Sequence, residues 1–236
     1  MRVLQARLLL CATVLAVLLS GCGAPTGNRQ LPEERVLFIG NSFTFFNGGI
    51  DQVLRGLAPN TRVDSATAGG YTLQKHLSDA NTMGKLRQGG WTRVVIQEQS
   101  QYPVVRFSGF LSSARRLATE ARKRGATPLL LMTWARPDSK GVTTSALKAA
   151  FTRAGRSISA EVIPAGSAFS ATLAAHPGFA LNQNDGHPTR EGTYLAGCVT
   201  YAIVFGASPV GNTFTGGLDP RVAATLQAEA AKATGH

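Results

Sequence analysis

The sequence predicts a doubly wound α/β fold, a three-layer α/β/α sandwich around a five-stranded parallel sheet. Short, continuously apolar runs recur along the chain, the pattern of strands buried on both faces. Longer amphipathic stretches alternate with them, as successive βαβ units require. At 236 residues, 44% hydrophobic and 16% charged, the chain is not of the disordered class. A domain of this size can bury roughly 70% of its unfolded surface, enough for a sheet covered on both faces.

Residues 35–40 (RVLFIG) read as the first buried strand and 50–57 as a short helix. Residues 62–67 form a second strand, and 72–77 a helical turn or more. Residues 93–97 (RVVIQ) are the third strand. Over 107–125, Leu111, Ala114, Leu117, Ala118 and Ala121 share a helical face that Gly125 terminates. Residues 128–133 (PLLLMT) are the fourth strand, and 144–157 a helix with Leu147 and Phe151 one turn apart. A short fifth strand occupies 161–164. A helix over 189–205 is expected to open with Pro188 at its first position, and Asp219-Pro220 to open a last helix to about residue 230. No internal repeat and no second domain is legible. In such a sheet the first strand is expected to be central, and function to sit at the carboxyl ends of the strands.

The chain begins with a different composition. Arg2 and Arg7 precede twelve apolar residues, 8–19, too few for a bilayer-spanning helix, which needs ~20. The stretch ends Leu19-Ser20-Gly21-Cys22. This resembles a bacterial lipoprotein signal: residues 1–21 are the expected signal peptide, Cys22 the lipidated residue, 22–33 a Pro/Gly-rich tether, and 34–236 the domain. Gly23 after the cysteine favours the outer membrane if the source is Gram-negative. The expected location is therefore the cell envelope, with a lipid anchor in the membrane.

Without residues 1–21 the chain has 215 residues, 22 basic against 13 acidic, a net charge of +9. The basic residues are scattered, the densest cluster being Arg122-Lys123-Arg124 at a helix end. That argues for attraction to anionic envelope surfaces and against a nucleic-acid partner. Of three cysteines, only Cys198 remains after signal removal and lipidation, so no intrachain disulfide forms; its helical spacing to Tyr194 and Ala202 makes it a small buried hydrophobe. Four histidines without HExxH spacing argue against a metal site, and the absence of GxxxxGK[ST] argues against a nucleotide, so no cofactor is expected.

The first strand runs into Gly40-Asn41-Ser42-Phe43-Thr44. A serine there is placed as a nucleophile if a base lies within hydrogen-bond reach; equally, Ser42 could cap the following helix. Asp185-Gly186-His187-Pro188 offers an imidazole and a carboxylate to orient it, or merely a polar turn. His76, His176 and His236 compete poorly for that role. The Ser42 N–H at a helix start and the Gly70 N–H after the second strand are candidate oxyanion donors, and residues 97–101 (QEQSQ) supply carboxamides. Ser145-Ala146-Leu147-Lys148 fits SxxK, but lies inside an amphipathic helix with no KTG after it.

Taken in order, VLFIGNSFT, AGGYT, VVIQEQSQ and DGHPTREGTYLAG resemble the four sequence blocks of the SGNH (GDSL-like) hydrolases, over about residues 35–210. The nearer resemblance is to a bacterial branch with GNSFT first and QEQS third. It implies a flavodoxin-like α/β/α fold and ester hydrolysis by a serine triad. Ser42 is then the nucleophile, His187 the base, Asp185 its orienter, and Ser42 and Gly70 oxyanion donors. Two positions depart from the family. Where many members carry Asp three residues before the histidine, this chain has Asn184, and Asp185 stands only two before. The third-block asparagine, a side-chain oxyanion donor, is missing; Gln99 is the expected replacement and Gln101 the runner-up. The expected activity is a secreted serine esterase acting on a small-molecule or carbohydrate ester. The rival expectation is a catalytically weak, ligand-binding envelope lipoprotein on the same fold.

Overall fold

The computed structural model describes residues 33–236. The expected signal peptide, the lipidation site Cys22 and all of the tether but Glu33 lie outside the described residues.

Five strands form one parallel sheet in the order β2-β1-β3-β4-β5: β1 (Arg35–Gly40), β2 (Arg62–Thr67), β3 (Arg93–Ile96), β4 (Thr127–Leu131) and β5 (Glu161–Ile163). The predicted sandwich is the observed fold. The first strand is not the central one, however. β3 is, because the chain leaves β1 for β2 on one side and returns past β1 to build the rest of the sheet on the other. That reversal leaves the crevice between β1 and β3 as the topological switch point, where ligands bind in open α/β sheets.

The strands run apolar without alternation because helices cover both faces. On one face α3 (Leu73–His76), α4 (Ala80–Gln88), α6 (Phe107–Lys123) and α7 (Thr144–Ile158) pack on Leu37, Ile39, Val94, Ile96 and Leu130. On the other, α9 (Arg190–Phe205) is packed by α2 (Ile50–Leu57), α8 (Ala165–Ala175) and α10 (Pro220–Thr234). Being covered in this way, α9 is buried nearly all round, which is why its sequence reads apolar on every face. Cys198 lies within it, fully buried, and burial pushes its thiol up to about 12. Two short helices, α1 (Ser42–Phe45) and α5 (Tyr102–Val105), sit at the carboxyl edge after β1 and β3.

Pro188 does not occupy the first position of α9. Thr189 is the cap, its hydroxyl accepting the Gly192 N–H at 3.1 Å, and Pro188 lies one residue earlier. Ser145 and Lys148 are exposed on α7, with no hydrogen bond between them. No helix among the described residues is long and apolar enough to cross a membrane.

Candidate active site

The local geometry after β1 follows from one carboxamide. Asn41 is extended, and its Oδ1 accepts the Phe43 N–H at 3.1 Å, so Asn41 rather than Ser42 caps α1. That leaves the Ser42 hydroxyl uncommitted to the backbone, and the Ser42 N–H, at the helix start, makes no hydrogen bond. Asn41 also donates from Nδ2 to the Tyr71 carbonyl at 2.9 Å, tying the loop after β2 to the serine loop. Its backbone N–H donates to Gln97 Oε1 at 2.8 Å, and the Thr44 hydroxyl donates to the same oxygen at 2.9 Å. Gln97 ends the third apolar run and is almost fully buried, and its own amide turns back to the Glu98 carbonyl. Gly40 lies so close beneath it that a Cβ there would stand 2.5 Å from Gln97 Oε1 and Thr44 Oγ1.

His76, a poor competitor for the base by its sequence, is a strut instead. It is buried, with Nε2 2.9 Å from the Gly40 carbonyl and Nδ1 2.8 Å from Thr82 Oγ1. A carbonyl only accepts, so Nε2 carries the proton; burial lowers the pKa of this imidazole.

His187, in the loop before α9, reaches the serine. Its Nε2 lies 2.9 Å from Ser42 Oγ, and its Nδ1 lies 2.8 Å from Asp185 Oδ2. The second carboxylate oxygen accepts the His187 backbone N–H at 3.0 Å. Gly186 makes this two-residue return possible: its φ of +84° folds the chain back on itself, in a region an L side chain rarely adopts, and a Cβ there would strike Arg136. The His187 side-chain and backbone N–H groups hold the Asp185 carboxyl below the usual carboxylate range, with a smaller pull from Arg136. A carboxylate at Nδ1 keeps the proton there and leaves Nε2 to accept from the Ser42 hydroxyl. Asn184 is exposed and makes no hydrogen bond to the imidazole.

The histidine loop is held by groups the sequence did not mark. The Trp134 indole donates to the Gly186 carbonyl at 2.9 Å and stacks on Phe169, ring centroids 4.0 Å apart. The imidazole lies on Phe46 at 4.4 Å and beside Phe43 at 5.3 Å. Asn47, in the left-handed region at φ 49°, donates to the Pro188 carbonyl at 2.6 Å, and Thr193 donates to the Phe46 carbonyl at 3.1 Å.

The other predicted donors lie on neighbouring loops of the same edge. Gly70, at φ +69°, is exposed, and its N–H makes no hydrogen bond. Gln99 spends its carboxamide oxygen on the N–H groups of Gln101 and Tyr102, at 2.9 and 3.1 Å, which caps the turn into α5 and leaves its amide nitrogen without a partner. So Ser42, Asp185 and His187 are brought together, while Gly70 and Gln99 make no hydrogen bond to any of the three. Gln97, Asn41, Trp134 and Asn47 were missed. A polar residue ending an apolar strand was the available signal for Gln97, and an Asn before a helix start the signal for the Asn41 cap; nothing local marks the Asn41 amide's tie to Tyr71, nor Trp134 and Asn47, because those partners lie 30 to 141 residues away. Among the described residues no three His, Cys, Asp or Glu side chains are placed to hold a metal ion.

No protein-family model matches the sequence, and no curated protein does. Solved structures do. A candidate SGNH hydrolase from Slackia heliotrinireducens superposes with a TM-score of 0.63 at 27% identity, over 73% of this chain and 99% of its own. The chain has the SGNH-like fold. Two further likenesses support the SGNH-like fold alone. A DUF4886 family protein from Bacteroides uniformis has a TM-score of 0.70 at 17% identity, over 85% of this chain and 94% of its own. The psychrotrophic esterase EstA from Pseudoalteromonas sp., in a structure inhibited by monoethylphosphonate, has a TM-score of 0.55 at 16% identity, over 73% and 97%.

Proposed function

We propose that this SGNH-like chain is a serine esterase with Ser42 as nucleophile, His187 as base and Asp185 as its orienter. The observation that carries the reading is the continuous chain Asp185 Oδ2–His187 Nδ1 at 2.8 Å and His187 Nε2–Ser42 Oγ at 2.9 Å. Ser42 Oγ attacks the ester carbonyl while His187 Nε2 takes its proton. The oxyanion is held by the Ser42 and Gly70 N–H groups and the Gln99 amide, each without a competing partner. Collapse breaks the ester bond, and the Nε2 proton leaves with the alcohol. Water, deprotonated by the same nitrogen, then releases the acid and restores Ser42. The EstA likeness supports an ester substrate, here a small-molecule or carbohydrate ester.

The chain is proposed to act at the cell envelope, anchored in the membrane through a lipid on Cys22 and using no nucleic-acid partner. A second reading, a ligand-binding lipoprotein with weak turnover, rests on the 59% exposure of the Asp185 side chain, since an orienter open to solvent is weakened by it.

The full chain should release 4-nitrophenol from 4-nitrophenyl acetate, and Ser42→Ala should abolish the release; equal rates would remove Ser42 from the chemistry. A fluorophosphonate probe followed by peptide mapping should label Ser42, and labelling of another serine would move the nucleophile. Cys22→Ser should free the protein from membranes; continued membrane retention would mean that the anchor is something else.

A further inference from the structure

A cavity of about 400 Å³ opens at the carboxyl end of β3, between the Glu98 loop and the first turn of α6. Two guanidinium groups line it. Arg153 lies 3.8 Å from the Phe107 ring centroid, and Arg106 lies 4.9 Å from that of Tyr102. Among the described residues neither makes an ion pair or a side-chain hydrogen bond. Stacking of this kind holds the planar fork ready while leaving its N–H groups free.

The deeper wall is polar and unpartnered. Glu98 is 2% exposed; its Oε1 accepts the Leu73 and Gln99 N–H groups at 3.1 and 2.7 Å, and its Oε2 makes no hydrogen bond. Ser113, 7% exposed, leaves its hydroxyl without a hydrogen bond. The N-terminus of α6 enters the cavity with no side-chain cap and no acid in its first turn. Glu98 Oε2 and the Ser113 hydroxyl open into the cavity rather than being sealed from it, so they present polar groups that a ligand in the cavity can engage. Burial raises the pKa of Glu98, which weakens the tendency of its carboxyl to carry charge. Arg153 is also a wall of a second groove, on α7, with Lys148 and Arg156 and no acidic residue.

We propose that this cavity binds an anionic group, carboxylate or phosphate, of a charged carbohydrate ester, and so selects acidic over neutral carbohydrate as the substrate. Guanidinium forks recognise either oxyanion. Thr72 and Gln74 on the facing wall, with Ser113, supply the hydroxyl and amide pattern that sugar hydroxyls need. The second basic groove extends the positive track for a polymer carrying repeated charge. Through the Glu98 bonds to Leu73 and Gln99, the cavity wall is continuous with the loops that carry Gly70 and Gln99. The substrate role rests on the esterase reading; the anion site does not.

Isothermal titration of the full chain with D-glucuronate, D-glucose 6-phosphate and D-glucose tests it. At least one of the two anions should bind about tenfold tighter than glucose, and which one does identifies the group as carboxylate or phosphate. Arg106→Met with Arg153→Met should erase that preference, and Arg153→Lys should lower it less than Arg153→Met. Both arginines are exposed, and an unchanged Tm would show that the fold is intact. Equal affinity for all three sugars, or a preference untouched by the double variant, would overturn the site. Ser42→Ala should retain the preference. If the unaltered chain binds anions but does not cleave 4-nitrophenyl acetate, the substrate role is overturned along with the esterase reading, and the anion site stands.

Discussion

The loop that carries Ser42 rests on buried hydrogen bonds, whereas the loop that carries His187 reaches into solvent and hangs from the Trp134 indole and the Asn47 amide. Gly40, Asn41, Gln97 and His76 form an interlocked set beneath the serine, nearly all of it buried. Asp185, by contrast, has its side chain 59% exposed. Breaking a buried pair strands a donor or acceptor away from water, while an exposed group finds water in exchange. The serine half is therefore coupled to the stability of the fold, whereas the exposed Asp185 end of the histidine loop can be altered at little cost to it.

Substitutions should separate the two halves. The largest effect on turnover short of losing Ser42 or His187 is expected from Asp185→Ala, a fall on the order of 10²–10⁴ with Tm nearly unchanged. A fall in Tm matching the loss of activity would erase the contrast between the halves. Gln97→Leu should do the reverse. It removes the acceptor of the Asn41 N–H and should cost about 1–3 kcal/mol of stability, several degrees in Tm for a domain of this size. A Tm within one degree of the parent, roughly 0.3–0.5 kcal/mol, would show that Gln97 is not the support described.

Trp134→Phe keeps a ring on Phe169 and deletes the N–H donor to Gly186, so about 1 kcal/mol and up to about tenfold in turnover should be lost. No change in either would mean that the histidine loop is held by other contacts. Glu98→Gln keeps the carbonyl-type acceptor for the Leu73 and Gln99 N–H groups but cannot ionise. The folded pKa of Glu98 is raised above its ordinary value of 4.5 by burial. Its contribution to stability is then complete below that value and declines as pH rises through the folded pKa. The variant's Tm relative to the parent should thus rise between pH 4.5 and pH 8; a relative Tm that falls over that range would reverse the assigned sign. Asn184→Ala should change turnover by less than about twofold, surface substitutions away from such contacts being nearly neutral, and a loss larger than that of Asp185→Ala would move the orienter to Asn184.

Most of the architecture was legible in the pattern of apolar runs. The first two strands and α2 fall where the sequence put them, since each is a short run bounded by turn residues. The helices that escaped notice lack a period. α4 interrupts its apolar positions with Gly84 and charges, α5 is four residues long, and α8 is built of small residues with no distinct polar face. Helix α10 runs on to Thr234, beyond the expected end near residue 230, because Ala230 and Ala231 are still buried and the alanine-rich tail favours the helix.

Residue order alone determined the five strands, their alternation with helices, and the loop positions of Ser42, Asp185 and His187, because these follow from local periodicity and turn residues. Only the tertiary structure decided that Asn41 rather than Ser42 caps the helix, that His76 braces β1, that Gln97 and Trp134 position the two loops, and that a cavity beside Glu98 gathers two unpaired guanidinium groups. Those contacts join strands and loops far apart in the chain, and their energies exist only once the sheet has brought the partners within hydrogen-bond distance.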